Sequence, residues 1–244
     1  MSHIVAILPE VQAFIDREHQ QFINGAWVAS SSTERANVYN PATGEVLTTV
    51  ALGTLADMDN AVQIAHQAFV DRRWSGMRPA DREKVLYRFS ELLQSHGEIL
   101  AQIETLNQGK SIHIARAIEV GATAEYVRYM AGWATKITGE TFDVSIPVPA
   151  GARYTASTRR EPIGVVASIA PWNFPLAISL WKTIPALVAG CPVVLKPALE
   201  TPLTALYLAQ LALEAGIPAG VFNVITGAGE VIGQGLAEHP LVRK

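Results

Sequence analysis

Asn173 and Lys196 are the residues whose types and settings could do chemistry together. Asn173 lies between two prolines in PWNFP (171–175). Each proline fixes its own φ and pushes the preceding residue out of the helical region, so the turn is stiff. A side-chain amide held that way can donate hydrogen bonds to an oxygen that is gaining negative charge. Lys196 ends the apolar run CPVVLK, and an ammonium there can reach hydroxyls or phosphates. Each also has a plain reading: PWNFP as a rigid loop, Lys196 as a solvated strand end.

The flanking elements decide whether the two can meet. Gly164–Ala170 is a short apolar run rich in β-branched residues, read as a buried strand. Pro175 suits the first position of a helix, the run to Ala189 continues it, and Gly190 suits its C-cap. CPVVLK is then a second buried strand. Strand, helix and strand without a hairpin signal predict a parallel βαβ unit. In such units ligands bind outside the carboxyl ends of the strands, where both Asn173 and Lys196 fall.

PWNFP, then Trp181-Lys182, then Lys196-Pro197 and TPLTAL, at these spacings, resemble the NAD(P)-dependent aldehyde dehydrogenase superfamily. The resemblance runs from about Gln21 to Lys244 and includes FINGAWV, NPATGEV, the E-x-L-x-x-G-K pattern at Glu104–Lys110, and EAGIPAGVFNVITG. Within the family it is nearest to members that oxidise phenylacetaldehyde. It implies an α/β fold: a Rossmann-type parallel sheet flanked by helices, with an antiparallel hairpin arm and the C-terminal catalytic domain absent. The expected division is 1–140 for the N-terminal strands and helical part, 141–160 for an oligomerisation arm, and 161–244 for an incomplete βαβ cofactor sheet.

The resemblance also assigns roles. Asn173 matches the oxyanion stabiliser, and Lys182 a lysine near the catalytic centre that relays protons or orients water. A lysine snorkelling from an apolar helix is the alternative for Lys182. Phe174, Ile178 and Trp181 share a helix face, read either as core or as the wall of a tunnel for an aryl or long-chain aldehyde. Ile169, Pro171 and Trp172 are expected to line the cofactor groove, and Lys196 to hydrogen-bond the ribose of the adenosine half. Gly227, Gly229 and Gly233 form a GxGxxxG pattern between a strand and a helix, one residue longer than the usual dinucleotide fingerprint. A tight turn with a packing glycine explains it equally. The resemblance sets Gly229 against the nicotinamide nucleotide, and Gly233 is expected among the cofactor-binding residues too. Many NAD-using members carry an acid three residues after the lysine; here that position is Leu199, with Glu200 next. Either Glu200 swings in, or the loop shifts, and NAD binding survives, or the missing acid removes the clash with a 2′-phosphate and admits NADP. NAD is the expected cofactor, with NADP open.

Composition bounds the class. The 244 residues are 49% hydrophobic and 17% charged, with a net charge of −3. That suits a soluble globular chain and points to no nucleic-acid or anionic-membrane partner. A single cysteine rules out an internal disulfide, and the N-terminus lacks a basic segment followed by an apolar core, so a cytoplasmic setting is expected. The longest apolar run is broken by prolines and Lys182, which argues against a membrane span.

In chain order, residues 4–18 predict a short helix with Phe14 and Ile15 packing inward. FINGAWV and VYNPATGEVLTTV predict two hairpins. Helices are expected after Thr54, from Pro79, over Gly97–Asn107, and over Ser111–Ile137. In the last, Ile114, Ala117, Ile118 and Gly121, continued by Tyr126, Tyr129, Met130 and Trp133, are expected to form the core-facing stripe. Residues 142–160 predict a two-stranded excursion with little core. Thr201 is read as the cap of a helix over Leu203–Ala215, Val221–Ile225 as a strand, and HPLVRK as the start of another.

No metal site is expected, since no histidine or cysteine spacing suits one. Cys191 begins a buried strand and is declined as a nucleophile. By resemblance, the catalytic cysteine and glutamate lie in a later segment of a chain about twice as long. The 244-residue polypeptide is thus expected to be inactive alone, and the full-length parent to be an active homo-dimer or tetramer acting on a small-molecule aldehyde. A stand-alone nucleotide-binding module, or one completed by another chain, is the alternative.

Overall fold

Alternation along Val193–Lys196 shows how the molecule is layered. In the computed structural model, which describes residues 6–244, Val193 and Leu195 join one apolar cluster and Val194 the other. A strand whose successive side chains are all buried lies between two helical layers, the usual setting of parallel sheets.

The elements are, in order, α1 (Pro9–Asp16), β1 (Gln21–Ile23), β2 (Ala26–Val28), β3 (Arg35–Tyr39), β4 (Val46–Ala51), α2 (Leu55–Val70), α3 (Pro79–Ser95) and α4 (Gly97–Gln108). Then come α5 (Ile112–Ile114), a π-helical stretch over Ala115–Ala122, α6 (Thr123–Ala131), and a 3₁₀ turn over Gly132–Thr135. After them follow β5 (Thr141–Val144), β6 (Tyr154–Ser157), β7 (Val166–Ile169), α7 (Pro175–Ala189), β8 (Val193–Lys196), α8 (Leu203–Ala215) and β9 (Phe222–Val224). A π-helical turn over Gly229–Gly233 leads into α9 (Gln234–Glu238).

The main sheet runs β2-β1-β9-β8-β7, parallel across β7, β8 and β9 and antiparallel where β1 meets β9. The mixed edge was not anticipated: FINGAWV forms its hairpin through Asn24 and Gly25, both at positive φ, but that hairpin also extends the sheet. The far edge of β7 is taken by the last residues, for Arg243 N–H donates to the Val165 carbonyl and Ala167 N–H to that of Lys244. HPLVRK thus leads into strand pairing, as expected. β3 with β4 and β5 with β6 form separate two-stranded ribbons.

Three expectations are corrected. Helix α1 starts at Pro9 rather than residue 4, because Pro9 takes its first position; residues 4 and 5 lie outside the described residues. The stretch 112–135 buries its small side chains (Ala115, Thr123, Ala124, Val127, Ala131). Ile114, Ile118, Tyr129 and Trp133 face outward, at 43–64% exposure. Small residues let this helix approach α3 and α7 closely, whereas the larger ones do not fit the interface. Finally, Thr201 does not cap α8: its hydroxyl donates to the Trp172 carbonyl at 3.4 Å, while Asn107 Oδ1 receives the Leu203 N–H at 3.2 Å.

Candidate active site

The crossover between β7 and β8 builds the site. Ile169 pairs in register with Lys196, and Ala170 N–H donates to the Lys196 carbonyl at 2.9 Å. The carboxyl ends of the two strands therefore lie side by side. β7 then stops at the proline turn. Phe174 has φ −134° and ψ 70° and offers no side-chain cap, and Pro175 opens α7. The buried core of α7 fixes the helix, while Trp172 and Asn173 stay exposed at its mouth. Among the described residues the Asn173 side chain takes no hydrogen-bond partner, so its amide is free to donate.

Lys196 is 3% exposed. Burial lowers its ammonium pKa from the ordinary lysine value, partly offset by Glu200, and its Nζ donates to the Pro197 carbonyl at 2.8 Å. Gly233 adjoins it: a Cβ at that glycine would lie 3.7 Å from both Lys196 Cε and Ile169 Cδ1. Three expected cofactor residues (Ile169, Lys196 and Gly233) therefore meet at one place. Gly229 is exposed, and a Cβ there would meet nothing within 4 Å. Gly227 has a different reason to be glycine, since its Cβ would fall 2.4 Å from Ile232 Cγ1 and 3.3 Å from the Gly53 carbonyl.

The turn leading to these glycines is anchored from the N-terminal hairpin. Buried Gln21 receives the Thr226 N–H through Oε1 at 2.7 Å and donates through Nε2 to the carbonyls of Thr226 and Ala51. Thr226 Oγ1 donates to the same Ala51 carbonyl at 2.6 Å. Gln21 was not singled out in the sequence, because its partner lies 205 residues away.

Trp172 and Leu199 share a pocket of about 530 Å³ with Asn107, Gln108, Glu200 and Thr201. Leu199 packs partly into the core, whereas Glu200 is exposed. Along α7, Phe174 and Ile178 are half-buried and Trp181 is 52% exposed. The ring of Phe174 lies under the Lys110 ammonium, at 4.4 Å from its centroid. Trp181 meets Tyr126 edge-on at 6.2 Å. Pro185 removes the N–H that would bond the Trp181 carbonyl, and Tyr126 Oη approaches that carbonyl instead at 3.5 Å. Lys182 is exposed beside Trp181. A larger cavity of about 760 Å³, lined by Arg72, Arg78, Arg82, Arg159 and Arg160, contains none of the expected site residues. Cys191 is 3% exposed at the start of β8. Among the described residues no cluster of metal-ligating side chains occurs and no helix is long and apolar enough to cross a membrane.

Residues 27–244 match the family model described as "Aldehyde dehydrogenase family". Phenylacetaldehyde dehydrogenase of Pseudomonas fluorescens is 54% identical over 226 residues, covering 93% of this chain and 45% of that protein. The cytosolic 10-formyltetrahydrofolate dehydrogenase of Xenopus tropicalis is 44% identical over 93% of this chain and 25% of its own. The solved NAD+ complex of an aldehyde dehydrogenase from Bacillus cereus superposes with a TM-score of 0.92 at 42% identity, covering 98% of this chain and 48% of that one. The chain thus spans about half, or less, of these relatives. On these matches, and on the crossover that carries Asn173 and Lys196, the chain belongs to the aldehyde dehydrogenase family.

Proposed function

We propose that this chain supplies the cofactor groove and the oxyanion donor of an enzyme that oxidises an aldehyde to its carboxylate. The observation that carries the reading is the register of Ile169 with Lys196, which sets a free amide and a buried ammonium at adjoining strand ends. Lys196, Ile169, Gly233, Gly229, Pro171, Trp172 and Leu199 are the residues that would hold a nicotinamide dinucleotide. The absence of a side chain at exposed Gly229, where a Cβ would meet nothing within 4 Å, leaves room for one. When bound, that cofactor supplies the acceptor for the electron pair leaving the aldehyde carbon.

Asn173 donates to the aldehyde oxygen as it becomes negative, and Lys182, on the next stretch of α7, orients water or moves a proton. Phe174, Ile178 and Trp181 offer an aromatic and aliphatic wall suited to an aryl aldehyde; the similarity to a phenylacetaldehyde dehydrogenase supports that class. With Leu199 in place of an acid, no carboxylate at that position opposes a 2′-phosphate. NAD is favoured and NADP is tolerated. The exposed β5–β6 ribbon serves as an arm between copies in a dimer or tetramer, and the cytoplasm suits the single reduced cysteine.

Buried Cys191 cannot serve as the nucleophile, so the 244-residue chain alone binds dinucleotide without turnover. Calorimetry with NAD+ and NADP+ on this chain, plus kinetics on the polypeptide completed by a catalytic half, test the reading. Asn173→Ala should lower kcat of the completed enzyme by about 10²–10³-fold while leaving NAD+ affinity unchanged. An unchanged kcat, or no dinucleotide binding to the parent chain, defeats it.

A further inference from the structure

The E-x-L-x-x-G-K motif is not used by the proposed chemistry, yet it ends against the proline turn. Lys110 follows the left-handed Gly109 that terminates α4. Its side chain is 9% exposed and faces two fully buried carboxylates, Glu119 and Glu104. Nζ pairs closely with Glu119 Oε1, lies 3.4 Å from Glu104 Oε1, and donates to the Asn173 carbonyl at 3.1 Å. The same ammonium sits over the Phe174 ring.

Glu119 acts on the other side of the turn. Its Oε2 receives the Ala177 N–H at 2.9 Å, one of the orphan donors of the first turn of α7. Helix α7 has no cap of its own at Phe174, so Glu119 caps it from a neighbouring helix. Glu119 lies within the π-helical stretch Ala115–Ala122. A π-helical insertion changes which side chains face a given neighbour, and such insertions recur at functional sites.

We infer that Lys110 is the positioning residue for Asn173: together with Glu119 it grips the proline turn on both sides, through the Asn173 carbonyl and the Ala177 N–H, and so fixes where the amide points. The proline rings restrict φ in this turn, but Asn173 itself is not a proline and its ψ needs a tertiary restraint. Lys110 supplies it at the peptide group that carries the amide. The inference rests on the proposed function only for its catalytic consequence; the restraint itself is a property of this chain.

Lys110→Met alone strands two buried carboxylates and is prone to misfold. The test therefore uses the paired variant Lys110→Met/Glu119→Gln, with Lys110→Arg as the conservative comparison. In the ¹⁵N-labelled chain, backbone heteronuclear NOE values at Asn173 and Phe174 should fall in the paired variant while those of β7 and β8 stay unchanged. Lys110→Arg should retain them. In the completed enzyme, kcat should drop at least about tenfold with KM within about twofold, short of the loss from removing the amide itself. If the turn stays as ordered in the paired variant as in the parent, the inference is overturned, whatever the kinetics. If the turn loosens and Asn173→Ala leaves kcat unchanged, the proposed function fails while the positioning role stands.

Discussion

Glu104 is the residue whose ionisation matters most to the interior. Burial and the neighbouring Glu119 push its carboxyl up to about 8 from the ordinary 4.5, with Lys110 opposing. One ammonium faces two carboxylates, and a proton retained on Glu104 leaves the cluster neutral. Between those two pH values the native chain holds a proton that the unfolded chain has lost, so Glu104 makes stability fall as pH rises through that window. Glu104→Gln should flatten this fall. Urea midpoints of both forms at roughly pH 5.5 and pH 8 check it; parallel changes in the two proteins would contradict it. His19 works in the opposite sense, since burial and the nearby Arg17 drive its ring down to about 4. Its contribution is common to both proteins and cancels in the comparison.

At the scale of elements, most of the architecture was legible from punctuation. Thr54 and Asp57 form the expected cap at the start of α2: Thr54 Oγ1 receives the Asp57 N–H at 3.2 Å and Asp57 Oδ2 receives the Thr54 N–H at 2.9 Å. Ser30 Oγ and the Ser31 N–H also donate to the same carboxylate, at 2.6 Å and 3.0 Å. Thr54→Ala should cost about 1 kcal/mol, read as a lower urea midpoint with unchanged slope. Pro175 and Gly190 likewise mark helix ends where the sequence suggested them, and Gly216 ends α8 in the left-handed region. Legibility failed wherever a cap or a face depended on a distant partner. Asn107 caps α8 and Glu119 caps α7 from elements far away in the chain, so the local signal at Thr201 pointed to the wrong hydroxyl role. In the stripe expected over 114–133, Tyr126 and Met130 do pack partly against the core. Ile114, Ile118, Tyr129 and Trp133 face outward and were misjudged because hydrophobic size was weighed and the close fit of small residues was not. Of the candidate site, the proline turn and the adjoining strand ends that carry Lys196 were readable from residue type and spacing, whereas the cofactor roles of Lys196 and the glycines came only from the family resemblance. Lys110 was visible only as part of a motif, because its purpose is set by Glu119 and by the turn it touches.

For the molecule as a whole, Gln21 ties the first hairpin to the turn after β9. Removing it leaves the buried Thr226 N–H without its acceptor, at about 1–3 kcal/mol, whereas the Thr226 carbonyl keeps the Gly53 N–H at 2.8 Å. Gln21→Leu should lower thermal stability and also weaken NAD+ binding, because the glycine turn loses its backing; calorimetry and thermal melts on the same sample test the pair. A variant that melts early yet binds NAD+ with parent affinity would detach the hairpin from the cofactor turn.

The antiparallel pairing of Phe22 with Val224 carries a consequence for biosynthesis. On a ribosome this hairpin emerges well before the strand it must join, which appears some two hundred residues later, near the Thr226 partner of Gln21. Until then one side of that hairpin has no ladder to complete, and loop closure on this scale is slow. Arrested nascent chains should therefore remain cleavable near residues 21–28 until β9 has cleared the exit tunnel, and become resistant shortly afterwards.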